Sequence, residues 1–163
     1  MRKPEIIQSK IYTLDALVRT IMQWRLLGKT VAFTNGCFDI LHRGHIYSLS
    51  QAASEADYLI VGVNSDASTR SLNKGPNRPI NDQDSRALVL ASLLMVDAVI
   101  IFDEPTPLDL ITALLPDVLV KGGDYTIDTI VGAKEVIANG GRVVINPIIE
   151  GFSTTGIIKK MGG

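Results

Sequence analysis

Short runs of apolar residues alternate along the chain with segments whose apolar residues recur at helical spacing. The runs are rich in Val, Ile and Leu and show little polar alternation, which is typical of strands buried on both faces of a sheet. We predict strands at 30–35, 58–64, 97–102, 117–123 and 141–147. We predict helices at 14–28, from the histidines near position 42 to position 56, at 81–96, at 106–116 and at 153–160.

Capping and stop signals mark the ends of these predicted helices. Thr13 is suited to cap the first long helix, and Gly28 is a stop signal beyond it. Asn81 is the expected N-cap of the third helix, whose first turn is acidic. Pro107 stands early in the fourth helix and Pro116 at its end. These signals agree with the boundaries that the apolar pattern predicts.

The alternation of strands and helices predicts an α/β fold of the Rossmann-like, doubly wound type. Its sheet would be mainly parallel, with helices on both faces. No repeat, low-complexity tract or shift in composition divides the chain, so we expect a single domain over residues 1–163. Within it, 1–29 would form an N-terminal extension with a helix, and 30–163 the core. Ligands in such sheets bind outside the carboxyl ends of the strands, so the segments after the first and fourth strands should share one rim.

Composition and charge describe an ordinary globular chain and exclude several classes of partner. The 163 residues are 46% hydrophobic and 20% charged, with a formal net charge of -1. A balance this close to neutral gives no long-range attraction for nucleic acid or an anionic membrane. The single cysteine cannot form an internal disulfide, and Asp97 interrupts the most apolar run. Because the N-terminus lacks a secretory signal, we expect a cytoplasmic protein without nucleic-acid or membrane partners.

The stretch TNGCFDILHRGH, residues 34–45, holds the only cysteine and the only two histidines of the chain. A metal site is disfavoured, because His42 and His45 are too few for zinc, which needs three or four ligands. Cys37 could pair with a histidine as a thiolate nucleophile. Its place at a tight strand-to-helix turn instead favours the role of a small apolar filler.

Phosphate binding is the third possibility for this stretch. A strand ends at Asn35, Gly36 permits a sharp turn, and a helix begins within a few residues. Backbone N–H groups and the positive end of a helix dipole therefore meet at one point. Gly44 permits close approach between two imidazoles, each of which can donate a hydrogen bond. Two surface histidines at a helix start remain the alternative, because a lone HxGH pattern recurs by chance.

The wider context decides between these alternatives through a family resemblance. GCFDILHRGH resembles the signature of the HxGH nucleotidyltransferase superfamily, which includes cytidylyltransferases and small adenylyltransferases. VGVNSD, KGPNRPINDQDSR, VDAVIIFDEPTP, LVKGGDY and GFSTTGIIKK match in the expected order. Together these stretches are most similar to the adenylyltransferase domains that act on D-glycero-D-manno-heptose 1-phosphate. In many bacteria such a domain is fused to a sugar kinase, for which this chain is too short, so a stand-alone form is expected.

The resemblance implies a reaction, a cofactor and a partner. AMP would pass from ATP to D-glycero-D-manno-heptose 1-phosphate, giving ADP-heptose and pyrophosphate for synthesis of the lipopolysaccharide core. Catalysis without a covalent intermediate would rest on positioning and charge stabilisation. Mg²⁺ is implied as a cofactor held mainly through the ATP phosphates. Relatives commonly form dimers, so a homodimer is expected; Trp24 in the N-terminal helix is a candidate contact, or merely covers the sheet.

The resemblance also assigns residues to the site, and none of them to a metal. His42, His45 and Lys74 are implied to be catalytic, with Lys74 in a loop where the family places a mobile cation. The residues implied to bind the nucleotide are Asn35, Gly36, Cys37, Phe38, Gly44, Arg86, Lys121, Gly122, Asp124, Ser153, Thr154 and Thr155.

Several of these assignments have a structural alternative. Lys74 could be a solvated loop charge, and Arg86 could be a surface residue paired with Asp82, four positions earlier. Asp39 is expected to cap the turn rather than contact a ligand, and Asn35 could take either role. After the fourth strand the glycines could simply form a turn, and the hydroxyls of the closing segment could simply cap its helix.

One departure from the family pattern bears on the nucleotide. Ile148 stands where cytidylyltransferases usually carry an arginine before the Ser/Thr segment. This weakens the alternative of a cytidylyltransferase acting on glycerol phosphate or another alcohol phosphate. An alternative of another class is a non-catalytic nucleotide-binding regulatory protein, against which the presence of both histidines, Lys74 and the Ser/Thr segment argues. A fragment of a class I tRNA synthetase fails on size and on the missing KMSKS loop.

Overall fold

The computed structural model of the chain describes residues 4–72, 77–123, 125–147 and 156–158. Residues 156–158 are helical and fall within the predicted helix at 153–160. The other elements, in chain order, are α1 (Glu5–Gln8), α2 (Leu14–Leu26), β1 (Val31–Gly36), α3 (Arg43–Ala53), β2 (Tyr58–Asn64), α4 (Asp66–Ser71), α5 (Gln83–Ala91), β3 (Ala98–Phe102), α6 (Leu108–Leu114), β4 (Val118–Gly122), a 3-10 helix (Ile127–Thr129), α7 (Ala133–Ala138) and β5 (Arg142–Asn146).

The five strands form one parallel sheet in the order β3-β2-β1-β4-β5. β1 lies at the centre, and the chain proceeds to β2 and β3 on one side and to β4 and β5 on the other. The register places Gly36 beside Val63 and Gly122 beside Asn146 at the carboxyl ends. The predicted Rossmann-like α/β fold is confirmed. In such a sheet the ligand crevice opens where the strand order reverses, which here is between β1 and β4.

Apolar side chains bury both faces of the sheet. On one face, Leu17 and Ile21 of α2 lie in a core cluster with Phe33 and residues of α6. On the other face, Leu49 of α3 and Leu90 of α5 lie in a second cluster. Each such side chain, when fully buried, contributes about 1.5–3 kcal/mol. Burial on both faces explains why the strand sequences show no polar alternation.

The N-terminal residues are packed against this sheet. Thr13 caps α2 as predicted, and its Oγ1 accepts a hydrogen bond from the Ala16 N–H at 3.4 Å. The Trp24 ring stacks on Tyr58 at the start of β2, with ring centroids 4.0 Å apart. Trp24 therefore covers the sheet, while its use as a dimer contact stays a prediction, as does the division at residue 29. Within the described ranges, no helix has both the length and the apolar character needed to cross a membrane.

The predicted boundaries of the helix at 81–96 were wrong at both ends. The N-cap is Asp82, whose Oδ1 accepts a hydrogen bond from the Ser85 N–H at 2.8 Å. Asn81 is not the cap, because its backbone N–H and side chain both donate to Asp39. The helix ends at Ala91, and the apolar residues beyond it belong to a turn that packs on the second core cluster.

Two short helices, α4 and α7, were not predicted. α4 has the sequence DASTRS, which carries no apolar stripe, and it is stabilised instead by Ser65, whose Oγ accepts a hydrogen bond from the Ser68 N–H at 3.1 Å. α7 begins after Gly132, which has a φ of 84°. Each helix has only six residues, too few for a periodic apolar pattern to stand out.

Candidate functional site

The connection from β1 to α3 is a tight turn shaped by Gly36 and Phe38. A Cβ atom at position 36 would lie 3.0 Å from Cε2 of the Phe38 ring, so glycine allows the ring to fold over the turn. Phe38 has a φ of 49°, in the left-handed region that non-glycine residues seldom adopt. Such a conformation costs on the order of 1–2 kcal/mol and persists only where neighbouring contacts hold it.

Arg86 supplies such contacts. Its side chain is buried, with 2% of the residue exposed. Nη1 donates to the carbonyl oxygens of Cys37 at 2.6 Å and Asn64 at 2.7 Å. Nη2 donates to Oδ1 of Asp66 at 2.7 Å, and Nε to the carbonyl oxygen of Asn81 at 3.0 Å. One guanidinium group therefore ties together the carboxyl ends of β1 and β2 and the start of α4.

The contact from Arg86 also sets the direction of a backbone donor. The carbonyl of Cys37 and the N–H of Phe38 belong to one planar peptide unit, in which they point in opposite directions. Because the carbonyl points at the buried guanidinium, the N–H of Phe38 points away from it. A donor fixed in this way needs no reorganisation when it meets an anion.

The contacts of Arg86 correct one of the two predictions made for it. It is not a surface residue paired with Asp82. Its backbone N–H donates to the Asp82 carbonyl, as in any helix, but its guanidinium is buried and paired with Asp66. Contact between Arg86 and the nucleotide stays a prediction. What the structure gives Arg86 is a positioning role for the turn.

His42 caps the N-terminus of α3. Its Nδ1 accepts a hydrogen bond from the Gly44 N–H at 3.1 Å. A ring whose Nδ1 accepts carries its proton on Nε2 when neutral, so this tautomer follows from the cap. Burial lowers the pKa of His42 below its ordinary value, which favours the neutral ring near pH 7. His42 thus has an Nε2–H donor left for a ligand.

His45 lies on the first turn of the same helix, directly against His42. The two imidazoles are stacked, with ring centroids 3.9 Å apart and planes inclined by 24°. The Phe38 ring meets His45 edge-on at a centroid distance of 5.3 Å. The HxGH spacing therefore brings both imidazoles together, at the start of a helix and beside the turn.

Asp39 connects the turn to the segment that precedes α5. Its carboxylate accepts hydrogen bonds from the backbone N–H groups of Ile80 and Asn81 and from Nε of Arg78 at 2.5 Å. Burial alone would raise the pKa of Asp39, but these donors outweigh it and hold the pKa below its ordinary value. The expected structural role of Asp39 agrees with these contacts.

The carboxyl ends of β1 and β4 are joined by a side-chain contact, in which Lys121 Nζ donates to Oδ1 of Asn35. Next to Lys121, Gly122 lies under α3, and a Cβ there would be 3.0 Å from Oγ of Ser48. Glycine at position 122 therefore permits close approach of α3 to β4, a role that its prediction as a turn residue did not include. Contacts of these residues with nucleotide stay predictions.

The structure thus brings together one part of the predicted site. Lys74, Asp124 and Ile148 lie outside the described residues, as do Ser153, Thr154 and Thr155, and their predicted roles stay predictions. The predicted residues that gather around the β1–α3 turn are Asn35, Gly36, Cys37, Phe38, His42, Gly44, His45, Arg86, Lys121 and Gly122.

Arg78 and Asp66 are site-supporting residues that sequence reasoning missed. Each is the charged partner of a predicted residue, Arg78 of Asp39 and Asp66 of Arg86. Both lie inside stretches that matched the family, which was the only available signal. Their pairing depends on which loops the sheet order brings together, and local spacing does not contain that information.

The donor set around the turn suits phosphate oxygens better than a metal ion. It consists of imidazoles, a lysine and backbone N–H groups, while the carboxylate of Asp39 is already committed to Arg78 and two backbone donors. Within the described ranges, no group of three or more His, Cys, Asp or Glu residues is placed to hold a metal ion. The described residues therefore do not form a magnesium site of their own.

Comparison with known proteins gives this geometry a family context. A family model described as cytidylyltransferase-like matches residues 33–160. The protein named bifunctional protein HldE from Mesorhizobium japonicum is 55% identical over 97% of this chain and 32% of its own length. The protein of the same name from Rhodospirillum rubrum is 54% identical over 95% of this chain and 31% of its own length. The chain thus spans about a third of the length of these relatives.

Two solved structures are similar to this chain. The lipopolysaccharide core biosynthesis protein from Thermoplasma volcanium is 30% identical, with a TM-score of 0.61 over 75% of this chain and 98% of that one. The pantoate-β-alanine ligase from Francisella tularensis is 16% identical, with a TM-score of 0.60 over 91% of this chain and 75% of that one. The second similarity is one of fold alone.

Proposed function

This chain belongs to the cytidylyltransferase-like family, and we propose that it transfers AMP from ATP to D-glycero-D-manno-heptose 1-phosphate. The products would be ADP-heptose and pyrophosphate. The observation that carries the proposed chemistry is the pair of stacked imidazoles at the start of α3, beside a turn whose peptide is fixed by Arg86. This arrangement concentrates donors for phosphate oxygens and offers no covalent nucleophile beside them.

The proposed substrates rest on the sequence and on the relatives. The stretches around the site resemble those of heptose 1-phosphate adenylyltransferases. Relatives named bifunctional protein HldE share more than half of their residues with this chain over nearly its whole length. The structure at 30% identity is that of a protein of lipopolysaccharide core biosynthesis. These observations support a nucleotide-activated sugar of that pathway as the product.

In the proposed reaction, an oxygen of the sugar phosphate attacks the α-phosphorus of ATP. A new P–O bond forms there, the bond from the α-phosphorus to the bridging oxygen breaks, and pyrophosphate leaves with the electron pair. His42 would donate through Nε2–H to a phosphate oxygen, and His45 would stabilise the charge that grows on the phosphates. The N–H of Phe38 and the N-terminus of α3 would add fixed dipoles of the same sign.

Residues outside the described ranges complete the proposal by resemblance. Lys74 would approach the reacting phosphates, Ser153, Thr154 and Thr155 would meet the β- or γ-phosphate, and Asp124 would line the nucleotide pocket. Mg²⁺ would arrive with ATP, bound through the phosphates, and no step is assigned to it here. A homodimer is proposed on the same basis.

The experiment that tests the function is pyrophosphate release in the presence of Mg²⁺. ATP, CTP, GTP and UTP are each combined with the two anomers of D-glycero-D-manno-heptose 1-phosphate, glycerol phosphate and phosphocholine. A signal confined to ATP and a heptose 1-phosphate is the expected result, and the responding anomer identifies the substrate.

Two other results would overturn the proposal in different ways. A CTP-dependent signal with an alcohol phosphate would keep the chemistry and replace both substrates. Nucleotide binding by folded protein with no turnover on any acceptor would instead favour a regulatory nucleotide-binding protein.

A further inference from the structure

A second ligand-sized space opens beside the β1–α3 turn. It is a cavity of about 350 Å³ over the carboxyl ends of β2, β1 and β4, and Gly36 and Cys37 form part of its wall. The polar and aromatic side chains that line it are those of Asn35, Thr106, Lys121, Tyr125 and Thr129.

This cavity lies on the opposite face of the sheet from the histidine helix. Side chains alternate between the two faces of a strand, so Asn35 and Lys121 extend on the same face as Phe33 and Leu119. Phe33 and Leu119 belong to the core cluster formed with α2 and α6. α3, which carries the imidazoles, packs on the other face. The two sides meet only at the rim, around Gly36.

The volume suits one substrate rather than two. Ligand pockets span about 300–1,000 Å³, so this cavity is at the small end of that range. His42 and His45 are not among the described residues that line it. A triphosphate held by the imidazoles would therefore lie outside the cavity, which leaves the cavity for the second reactant.

The chemistry of the lining suits a sugar phosphate. Lys121 is the one cationic side chain, and no carboxylate is present, among the described lining residues. An ammonium group carries three donors, so it can contact Asn35 and a phosphate oxygen together. Two threonine hydroxyls can bond sugar hydroxyls, and the half-exposed ring of Tyr125 offers a flat face to the C–H groups of a sugar.

We propose that this cavity is the acceptor subsite, which holds a sugar phosphate with its phosphate on Lys121 and Asn35. The inference rests on the proposed function and reassigns Lys121, which sequence reasoning placed with the nucleotide. An acceptor held there presents its phosphate oxygen at the Gly36 turn, where the α-phosphorus of ATP would lie on the opposite side. The ammonium group also offsets the repulsion between the two anions as they approach.

The test measures the two ligands separately, without turnover. Calorimetric titration gives the affinity of a non-hydrolysable ATP analogue and, independently, of D-glycero-D-manno-heptose 1-phosphate and mannose 1-phosphate. Lys121→Met removes the charge at nearly constant length. Lys134→Met, at an exposed position on α7, is the matched control. Tyr125→Ala is a second variant, at an exposed position where folding is not at risk, and circular dichroism checks the fold of all three.

Lys121→Met is expected to weaken sugar-phosphate binding by roughly 10- to 100-fold, as for loss of a charged hydrogen bond, and to leave the affinity for the ATP analogue unchanged. Tyr125→Ala should weaken only the sugar phosphate, and Lys134→Met should affect neither ligand. Weakened binding of the ATP analogue alone, or no effect on either ligand, would overturn the assignment, as would absence of sugar-phosphate binding by the unaltered protein. Sugar phosphates that bind through Lys121 without any turnover would uphold the subsite and count against the proposed function only.

Discussion

The imidazole rings of His42 and His45 lie nearly parallel, with ring centroids 3.9 Å apart. Two positive charges at this separation repel each other, so a proton on one ring opposes a proton on the other. Burial already lowers the pKa of His42. Without an anion the pair therefore favours neutral rings, and a bound triphosphate would favour protonation.

Replacement of His42 separates its structural role from its chemical role. His42→Ala removes the acceptor that caps α3 and should lower the free energy of unfolding by about 1 kcal/mol, in addition to lowering turnover. His42→Asn supplies a good capping oxygen but lacks the Nε2–H donor. It should therefore restore most of the stability and little of the turnover, as measured by urea unfolding and by pyrophosphate release. Full turnover by His42→Asn would show that the cap alone is required.

His45→Ala should reduce turnover by roughly 10²–10³-fold, the usual cost of losing one donor to developing charge. The comparison is Gln51→Ala, an exposed position on the same helix, which should leave turnover unchanged. Rates are measured with both substrates saturating, so that a change in binding does not enter. Near-normal turnover by the His45 variant would remove His45 from the catalytic step.

Removal of the Arg86 side chain should destabilise the fold strongly. Arg86→Met leaves two backbone carbonyls and the Asp66 carboxylate without their donor, and loss of one partner of a buried ion pair costs about 3–5 kcal/mol. Arg70→Met, at an exposed position on α4, should change the unfolding free energy by less than about 0.5 kcal/mol. Urea unfolding followed by circular dichroism measures both. Equal stability of the two variants would contradict the bracing role of Arg86.

Asp39→Asn should lower stability in a manner that depends on pH. The carboxylate accepts charged and backbone hydrogen bonds, so its loss should cost about 1.5–3 kcal/mol at pH 7. Because the folded-state pKa of Asp39 is lowered, the stabilisation is complete above the unfolded value of about 3.9 and is lost as pH falls through the folded value. The difference between the unaltered protein and Asp39→Asn should thus shrink from pH 7 to pH 3.

The control for Asp39→Asn is Asp128→Asn, at an exposed position on the 3-10 helix. Its unfolding free energy should match that of the unaltered protein throughout this pH range. A difference between Asp39→Asn and the unaltered protein that stays constant down to pH 3 would show that the charge on Asp39 contributes nothing.

The strands and the turn were predictable because each depends on local sequence. Both-face burial demands continuous apolar runs such as 58–64, which became β2 with those same bounds. The HxGH spacing likewise implies two side chains on one helical turn. The family resemblance then identified which of several phosphate-binding chemistries this turn serves.

The supporting contacts were not predictable, because they depend on the order of strands in the sheet. Arg86 meets the Cys37 carbonyl only because β1 and β2 are neighbours and α5 follows them. Asn81 looked like a cap, but a buried carboxylate at position 39 competed for its donors and won. The cavity beside Lys121 likewise combines residues from distant parts of the chain.

The absence of a side chain at position 122 determines how deeply the histidine helix sits above the sheet. Even an alanine Cβ would lie 3.0 Å from Oγ of Ser48. Ser48 is three residues beyond His45, a distance of about 4.5 Å along a helix. A larger residue at 122 would therefore act as a wedge, tilting α3 outward and lifting both imidazoles from the phosphates while touching neither ligand. Gly122 in this way sets the elevation of the catalytic pair.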